Sequence, residues 1–236
     1  MAITKVTGAL LGNYTGGSAD DTVVIGEGAG DALTTGNRST FVGTNAGSAT
    51  TTADNNVGIG KDALLVNTTG ASNVAVGKSA LDANTTGNDN TGLGTLALSA
   101  NTTASNNVAI GRSALEANTT GHSNTAVGMN ALQDNTTGEG NTGLGKAAMQ
   151  DNTTGSYNVG VGLNALSNNT TADNNTAVGV NAMLVNTTGT SNVAVGRSAL
   201  DANTTGGGNT AVGYQALTAN TTAGNNTAMG VNSLEA

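Results

Sequence analysis

Side chains that could catalyse a reaction are few in this sequence, and they do not stand together. The single histidine, His122, lies in a variable turn without a neighbouring group that would orient it as a general base. Ser79, Ser113 and Ser198 share one position of a sequence repeat, but each is flanked by a basic residue and an alanine rather than by an activating histidine. We therefore predict that the protein is not an enzyme and holds no cofactor.

The acidic residues also lack the arrangement that a catalytic or metal site needs. They change their place from repeat to repeat, so they do not form the paired carboxylates of a glycosidase. The turn at 87–90, Gly-Asn-Asp-Asn, offers oxygen ligands of the kind that Ca²⁺ prefers, but the aspartate spacing of a calcium loop is missing. Without cysteine the chain has no thiolate ligands and no disulfides. We predict no metal site.

Composition limits both the core and the partners of the chain. Of the 236 residues, 36 are Gly and none is Pro or Trp, and aromatic residues make up only 2%, so any core must be thin and aliphatic. Seven basic residues and a net charge of -8 supply too little positive charge for a phosphate backbone, and we expect no nucleic-acid partner. The sequence has no apolar run near the ~20 residues of a membrane span, so we expect no membrane insertion.

The elements that position these residues come from a repeat of 17 residues that recurs without an insertion. The unit is Asn-(Val/Thr)-(Ala/Gly)-(Val/Ile/Leu)-Gly-x-x-Ala-Leu-x-x-Asn-Thr-Thr-(Gly/Ala)-x-x, and Asn56 is one example of its position 1. A unit of this length is too short for a helical hairpin, and it is rich in Gly, Asn and Thr, which are poor helix formers. We predict an all-β parallel solenoid with one coil per unit, about thirteen coils and a length of about 60 Å.

A longer period overlies the 17-residue unit. Ala53 and Ala172, and likewise Ala104 and Ala223, replace the usual Gly of position 15 at a distance of 119 residues, or seven units, which indicates an internal duplication. We predict that the solenoid extends over 22–236. The non-repeating segment 1–21 is predicted to form an attachment or cap at one end.

The predicted core comes from two aliphatic positions of the unit. Positions 2 and 4 flank position 3 in a period-two pattern that ends at the Gly of position 5, where the backbone must bend. We predict that position 4 and position 9 fill the interior of the coil. The core residues are Ile59, Val76, Leu93, Ile110 and Val127 at position 4, and Leu64, Leu81, Leu115 and Leu132 at position 9.

Position 3 predicts how copies of the chain meet. It points away from positions 2 and 4 and is almost always Ala or Gly, which would let another backbone approach closely. We therefore predict a parallel homotrimer with this stripe at the subunit contacts. The predicted contact residues are Phe41, Ala75, Ala109, Ala126, Ala194 and Ala211.

Basic residues are the one charge pattern that keeps a repeat position. They lie at position 6, just after the Gly bend. This row either attracts acidic glycans or an acidic neighbouring subunit, or it is a solvated row that discourages aggregation between sheets. The residues are Lys61, Lys78, Arg112, Lys146 and Arg197.

Two short segments resemble a known family of repeats. Asn106–Gly111, Asn-Asn-Val-Ala-Ile-Gly, and Ser72–Gly77, Ser-Asn-Val-Ala-Val-Gly, are each followed after one residue by Ser-Ala. They resemble the Asn-Ser-Val-Ala-Ile-Gly repeat in the heads of trimeric autotransporter adhesins. The resemblance implies a trimeric left-handed β-roll. The match covers positions 1 to 8, and the unit of this chain is longer because it adds the Asn-Thr-Thr-Gly corner.

The whole repeat, for example Asn209–Thr222, is also similar to repeat regions of bacteriophage tail-fibre and virion-surface proteins, and Met1–Thr7 is similar to the start of marine phage structural proteins. This resemblance implies a structural protein on the virion surface, outside the cell. The implied partners are other virion proteins at the chain ends and a glycan or protein of the host surface.

Other functions remain open at this point. A bacterial extracellular adhesin or a self-assembling filament subunit would use the same fold. The Thr-Thr pairs at positions 13 and 14 raise the minor possibility of an ice-binding or surface-binding solenoid, although adjacent strand residues face opposite sides. A polysaccharide-processing β-helix enzyme is least favoured, because acid pairs and aromatic sugar platforms are lacking.

Overall fold

The computed structural model describes residues 21–234, which form a parallel β-solenoid with 13 short strands, one in each coil. Each strand has three residues and occupies positions 2 to 4 of the unit. No helix is present in this part of the chain. The strands are β1 Val23–Ile25, β2 Thr40–Val42, β3 Val57–Ile59, β4 Val74–Val76, β5 Thr91–Leu93, β6 Val108–Ile110, β7 Thr125–Val127, β8 Thr142–Leu144, β9 Val159–Val161, β10 Thr176–Val178, β11 Val193–Val195, β12 Thr210–Val212 and β13 Thr227–Met229.

The strands form a single sheet in sequence order, β1 to β13, with every neighbouring pair parallel. Each residue pairs with the residue 17 positions further on, as in Ala109 with Ala126 and Ile110 with Val127. Identical repeat positions therefore stack along the rod. The prediction of an all-β parallel solenoid with 17-residue coils is confirmed. Most of the predicted attachment segment, residues 1–20, lies outside the described residues.

The bend after each strand depends on the absence of a side chain. Gly111 at position 5 has a φ of +135°, and a Cβ placed on it would lie 2.5 Å from the carbonyl oxygen of Gly128 in the next coil. Ser113 and Leu115 then adopt left-handed φ angles of 56° and 51°. This alternation lets two consecutive side chains, Ala114 and Leu115, both point inward, which an extended strand does not allow.

Two columns of buried asparagine side chains connect the coils. At position 1, the backbone N–H of Asn107 donates to Oδ1 of Asn90 in the preceding coil at 3.0 Å. At position 12, Nδ2 of Asn118 donates to Oδ1 of Asn101 at 3.1 Å. Both columns are buried through most of the rod. The asparagines satisfy polar groups inside the coil that the narrow aliphatic core could not satisfy.

The core consists of positions 3, 8 and 9 of the unit, which corrects part of the sequence prediction. The position 9 leucines Leu64, Leu81, Leu115 and Leu132 are fully buried. The prediction for position 4 is wrong, because these side chains point outward. Ile59 and Ile110 are each 38% exposed. The other three predicted core residues of this position are only half-buried, namely Val76, Leu93 and Val127.

The predicted subunit contacts are wrong for the same reason. Phe41 and the position 3 alanines are fully buried inside the coil of a single chain, so they cannot contact a neighbouring subunit. These alanines are Ala75, Ala109, Ala126, Ala194 and Ala211. Small residues occur at position 3 because the interior is narrow. A Cβ added to Gly92 would lie only 3.2 Å from the carbonyl oxygen of Ala97 and would already contact Leu81, the position 9 side chain of the preceding coil, at 3.5 Å.

Phe41 shows how strongly positions 3 and 9 share one space. It is the one large aromatic side chain at position 3, and the residue at position 9 of its coil is Gly47 instead of Leu. A Cβ on Gly47 would lie 2.4 Å from Cδ1 of the Phe41 ring. The ring therefore fills the space that a position 9 leucine fills in later coils, and close packing permits only one large side chain there.

Candidate interaction surface

The most unusual surface of the described rod is the outward face of its sheet, where position 4 forms a continuous aliphatic column. Ile25, Ile59, Ile110 and Leu144 are between 36% and 38% exposed. Because the pairing register is constant, each side chain stacks on its equivalent in the next coil. The column consists of Ile25, Val42, Ile59, Val76, Leu93, Ile110, Val127, Leu144, Val161, Val178, Val195, Val212 and Met229.

Position 2 adds a second outward column beside the first, two residues away on the same strand. It contains only valine and threonine, both β-branched residues that pack well on a pleated surface. We call the two columns together the aliphatic face. Position 2 consists of Val23, Thr40, Val57, Val74, Thr91, Val108, Thr125, Thr142, Val159, Thr176, Val193, Thr210 and Thr227.

A row of basic residues borders the aliphatic face where the strands end. From β3 to β11, position 6 holds five basic residues and no acidic one. All five side chains are exposed. Within the chain, Lys61 Nζ lies 2.5 Å from Asp62 and the Arg197 guanidinium lies 5.8 Å from the centre of the Tyr214 ring. We call this row the basic rim, which comprises Lys61, Lys78, Arg112, Lys146 and Arg197.

Acidic residues border the opposite edge, where the strands begin. Before β3 to β11, positions 16 and 17 hold four acidic residues and no Lys or Arg. We call this row the acidic rim, which comprises Asp54, Asp89, Glu139 and Asp173.

Two members of the acidic rim cap backbone amides and a third bonds a side chain. Asp54 Oδ1 accepts the Asn37 N–H at 2.7 Å and its other oxygen lies 3.3 Å from Arg38, while Asp173 accepts the Ser156 N–H at 2.7 Å. Glu139 accepts a hydrogen bond from the Tyr157 hydroxyl at 2.6 Å, and this bond to a carboxylate raises the pKa of the tyrosine.

The two threonine positions of the corner differ in what they offer to a partner. At position 13 the hydroxyl is already used: Thr119 Oγ1 donates to the carbonyl oxygen of Thr136 in the next coil at 3.0 Å, and the same bond recurs along the rod. At position 14 the side chain is exposed in every described coil, as in Thr120 and Thr137. Only position 14 therefore forms a free column of threonines.

The residues considered above for catalysis stay apart in the fold. His122 lies in an exposed turn, where its Nδ1 accepts the backbone N–H of Ser105 at 3.0 Å. This places the ring at position 16, which side chains in other coils also use to cap an amide. Ser79, Ser113 and Ser198 are partly or fully buried beside the Gly bend. In 21–234, no group of three or more His, Cys, Asp or Glu side chains is placed to hold a metal ion.

Three half-buried aspartates show a perturbed protonation equilibrium. Burial raises the pKa of Asp82, Asp151 and Asp201, and hydrogen bonds from Ser79 and Ser198 partly oppose the effect at Asp82 and Asp201. Asp82, together with Val66 and Ser99, lines a shallow open depression in the side of the rod. The depression is not enclosed, and no other titratable side chain lines it.

The aliphatic face is the feature that sequence reasoning missed. Alternation alone could not distinguish an outward position 4 from an inward one. A signal was nevertheless present in the sequence, because Phe41 at position 3 coincides with Gly47 at position 9. A large residue at one position paired with the smallest residue at the other indicates that both share the interior, and position 4 must then face outward.

Comparison of the chain with protein-family models, with curated proteins and with solved structures finds no match in any of the three. Among the described residues, no helix has the length and apolarity needed to cross a membrane.

Proposed function

We propose that this protein is a structural component of a bacteriophage virion, a rigid fibre or surface appendage that assembles as a homotrimer. The observation that supports a structural role is the aliphatic face, which continues without interruption from β1 to β13. Isolated apolar side chains are common on protein surfaces, whereas a long continuous column is typical of a surface that another molecule covers.

The dimensions of this face match a protein–protein interface. Thirteen strands spaced by about 4.8 Å extend over about 60 Å, and two side-chain columns give an area on the order of 700 Å². A stable interface typically buries about 800 Å² on each partner. Covering such a face on every copy would remove a large apolar area from water. Each Å² of apolar surface buried in this way stabilises the assembly by about 25 cal/mol.

The virion setting is supported by the similarity of the repeat, including Asn209–Thr222, to bacteriophage tail-fibre and virion-surface repeats. In this setting the rod projects from the particle surface, outside the cell. Other virion proteins hold its ends, and a glycan or protein of the host surface is its contact. No chemical reaction is assigned to it.

The self-association is tested by measuring the mass of the full chain in solution. We expect a trimer by light scattering and sedimentation. Lysine at Ile110 and Leu144, two exposed position 4 side chains, should yield a folded monomer with an unchanged circular dichroism spectrum and a lower unfolding midpoint, because association stabilises the folded wild type. Lysine at Thr120 and Thr137, in the exposed position 14 column, is the matched control and should leave the trimer intact. A monomeric wild type, or a trimeric Ile110→Lys/Leu144→Lys variant, would overturn the proposed use of the face.

The virion setting has its own test, which is labelling of purified phage particles with an antibody to this chain. Label on the particle exterior is the expected result. Label on the surface of bacterial cells and not on particles would instead support an extracellular adhesin or a filament subunit.

One observation favours a second candidate, an ice-binding or surface-binding solenoid. The exposed threonines of position 14 repeat at the coil spacing of about 4.8 Å, which is the regularity that a crystalline surface could match. Position 13 adds no free hydroxyl column beside them. Measurable thermal hysteresis that disappears in a Thr120→Lys/Thr137→Lys variant would promote this candidate, and its absence would remove it.

A further inference from the structure

The two rims identify what covers the aliphatic face and in which direction it runs. This inference rests on the self-association proposed above and adds the charged residues that set the orientation and register of the partner. From β3 to β11, every charged residue at positions 16 and 17, before the strand, is acidic, and every charged residue at position 6, after the strand, is basic, while Asp62 at position 7 contacts Lys61 of its own chain. From β3 to β11 the face is therefore electrically polar across its width, with one polarity throughout, whereas the first two coils differ because Glu27 follows β1 and Arg38 precedes β2.

Geometry connects this polarity to the orientation of a partner. When two copies face each other with their rods parallel, the strands of the two copies run in opposite directions across the interface. The basic rim of one copy then lies opposite the acidic rim of the other. When the rods are antiparallel, the strands run in the same direction, and each rim meets a rim of its own sign. Opposite charges attract and like charges repel, so the rims favour the parallel arrangement.

The same argument holds around a threefold axis parallel to the rod. The two edges of the face are different, and rotation brings the basic rim of each copy beside the acidic rim of the next. Every copy contributes one rim to each contact. A closed ring of this kind uses both rims of every chain, which a single chain cannot do by itself.

The basic and acidic residues of the two rims also lie at similar heights along the rod. A cyclic assembly has no translation along its axis, so equal coils lie at equal height. Lys61 and Asp54 flank the same strand, β3, and Lys146 and Glu139 flank β8. The remaining three basic residues each have an acidic residue of the opposite rim one coil away, about 4.8 Å along the rod, which long side chains can span. These are Lys78 and Arg112, both one coil from Asp89, and Arg197, one coil from Asp173.

We infer that the partner of the aliphatic face is a second copy of this chain, parallel and in register, with the basic rim of one copy paired to the acidic rim of the next. The apolar columns contribute most of the affinity, and the rims select orientation and register. Ion pairs at the edge of an interface add little energy each. Like charges facing each other along a whole rim are nevertheless enough to disfavour the antiparallel arrangement.

Orientation can be read directly by cross-linking, because the chain has no native cysteine. Val42 lies on β2 and Val127 on β7, the middle strand of the sheet, both at position 4. In a parallel in-register assembly, a Val42→Cys variant should cross-link to itself through a short bismaleimide as efficiently as a Val127→Cys variant. In an antiparallel assembly, Val42 of one copy would instead lie near Val212 on β12 of the other.

The Val127→Cys variant, on the middle strand, distinguishes a wrong orientation from an absence of self-association. Val127→Cys cross-links in either orientation, so an oligomer that cross-links through Val127→Cys but not through Val42→Cys would overturn the parallel arrangement. A mixture of Val42→Cys and Val212→Cys that cross-links only between the two variants would do the same. A monomeric mass with no cross-link at Val127→Cys would instead reject the proposed self-association.

Charge reversal tests the role of the rims. Lys78→Glu/Lys146→Glu places acid on both edges, and Asp89→Lys/Glu139→Lys places base on both. Each double variant should weaken the assembly at least tenfold at low salt. The quadruple variant restores opposite charges between positions 78 and 89 and between 146 and 139, although Arg112 then meets a like charge at 89, so it should recover about half of the loss, expressed as the logarithm of the dissociation constant. Equal weakening in the quadruple variant would overturn rim pairing. Unchanged circular dichroism spectra of all variants under native conditions would show that the coils stay folded, since the unfolding midpoint itself depends on assembly.

Discussion

Asn107 and Asn118 donate their side-chain amides to the same acceptor, the carbonyl oxygen of Gly121, each at 3.0 Å. The two asparagines belong to different sides of one coil, and Gly121 lies at the corner between them. The pattern recurs in neighbouring coils, for example with Asn124 and Asn135 on Gly138. This shared acceptor closes each coil, because it joins the start of the strand to the corner that precedes the next one.

The asparagine columns predict a large loss of stability on truncation. Asn118→Ala should lower the free energy of unfolding by about 1–3 kcal/mol, because the buried carbonyl of Gly121 loses a donor and Oδ1 of Asn101 loses another. Asn168→Ala is the matched control, since position 11 is alanine in several coils. Denaturant unfolding followed by circular dichroism measures both. Equal midpoints for the two variants would contradict a structural role of the column.

The core assignment predicts opposite outcomes for substitutions inside the coil and on its surface. Ala109→Glu places an unpaired charge inside the coil and should cost about 3–5 kcal/mol or unfold several coils. Leu115→Ala should cost about 2–5 kcal/mol through the cavity that it leaves. Thr120→Glu on the exposed corner is the control and should be close to neutral. A folded Ala109→Glu variant with an unchanged midpoint would show that position 3 faces the outer surface.

Phe41 and Gly47 predict a compensating pair. Phe41→Ala alone should cost about 3–5 kcal/mol, since the ring fills the core of its coil. Gly47→Leu alone should also destabilise, because its Cβ would lie 2.4 Å from the ring. The Phe41→Ala/Gly47→Leu double variant recreates the arrangement of later coils and should regain most of the lost stability. Additive losses in this double-mutant cycle would show that the two positions do not share one space.

Burial of Asp82 predicts a dependence of stability on pH. Because burial raises the pKa of this carboxyl above its usual value of 3.8 in the folded chain, its charged form is penalised at neutral pH. Asp82→Asn should therefore raise the melting temperature slightly at pH 7. As pH falls through the raised pKa, the wild type becomes protonated, and below 3.8 the advantage of the variant should vanish.

The matched control for this effect is Asp31→Asn, an exposed aspartate at the same repeat position. Asp201→Asn should behave like Asp82→Asn, because burial also raises the pKa of Asp201, which lies one duplicated block further along the chain. Thermal melting at several pH values measures all three variants. A stabilisation that persists undiminished at pH 3 would rule out burial of the charge as its cause.

Much of this fold follows from the amino-acid sequence by itself. The constant spacing of 17 residues requires equivalent positions to stack, so the parallel register was predictable without coordinates. The Gly of position 5 predicted a bend, and Gly111 shows the physical reason, since a side chain there would collide with the next coil. The basic row at position 6 was also visible in the repeat, whereas the acidic row before the strands was not recognised from the sequence.

Only the tertiary structure decided which side of each strand is inside. Alternation states that Ala109 and Ile110 face opposite ways, and hydrophobicity favours Ile110 for the core. Leu115, however, enters the interior from the opposite wall of the coil and is fully buried there. The space that remains at position 3 of this coil holds nothing larger than alanine. The available volume therefore overrides the hydrophobic preference and turns the larger residue outward. That inversion creates the aliphatic face, because an enclosed volume depends on how distant segments close around it, which no local pattern encodes.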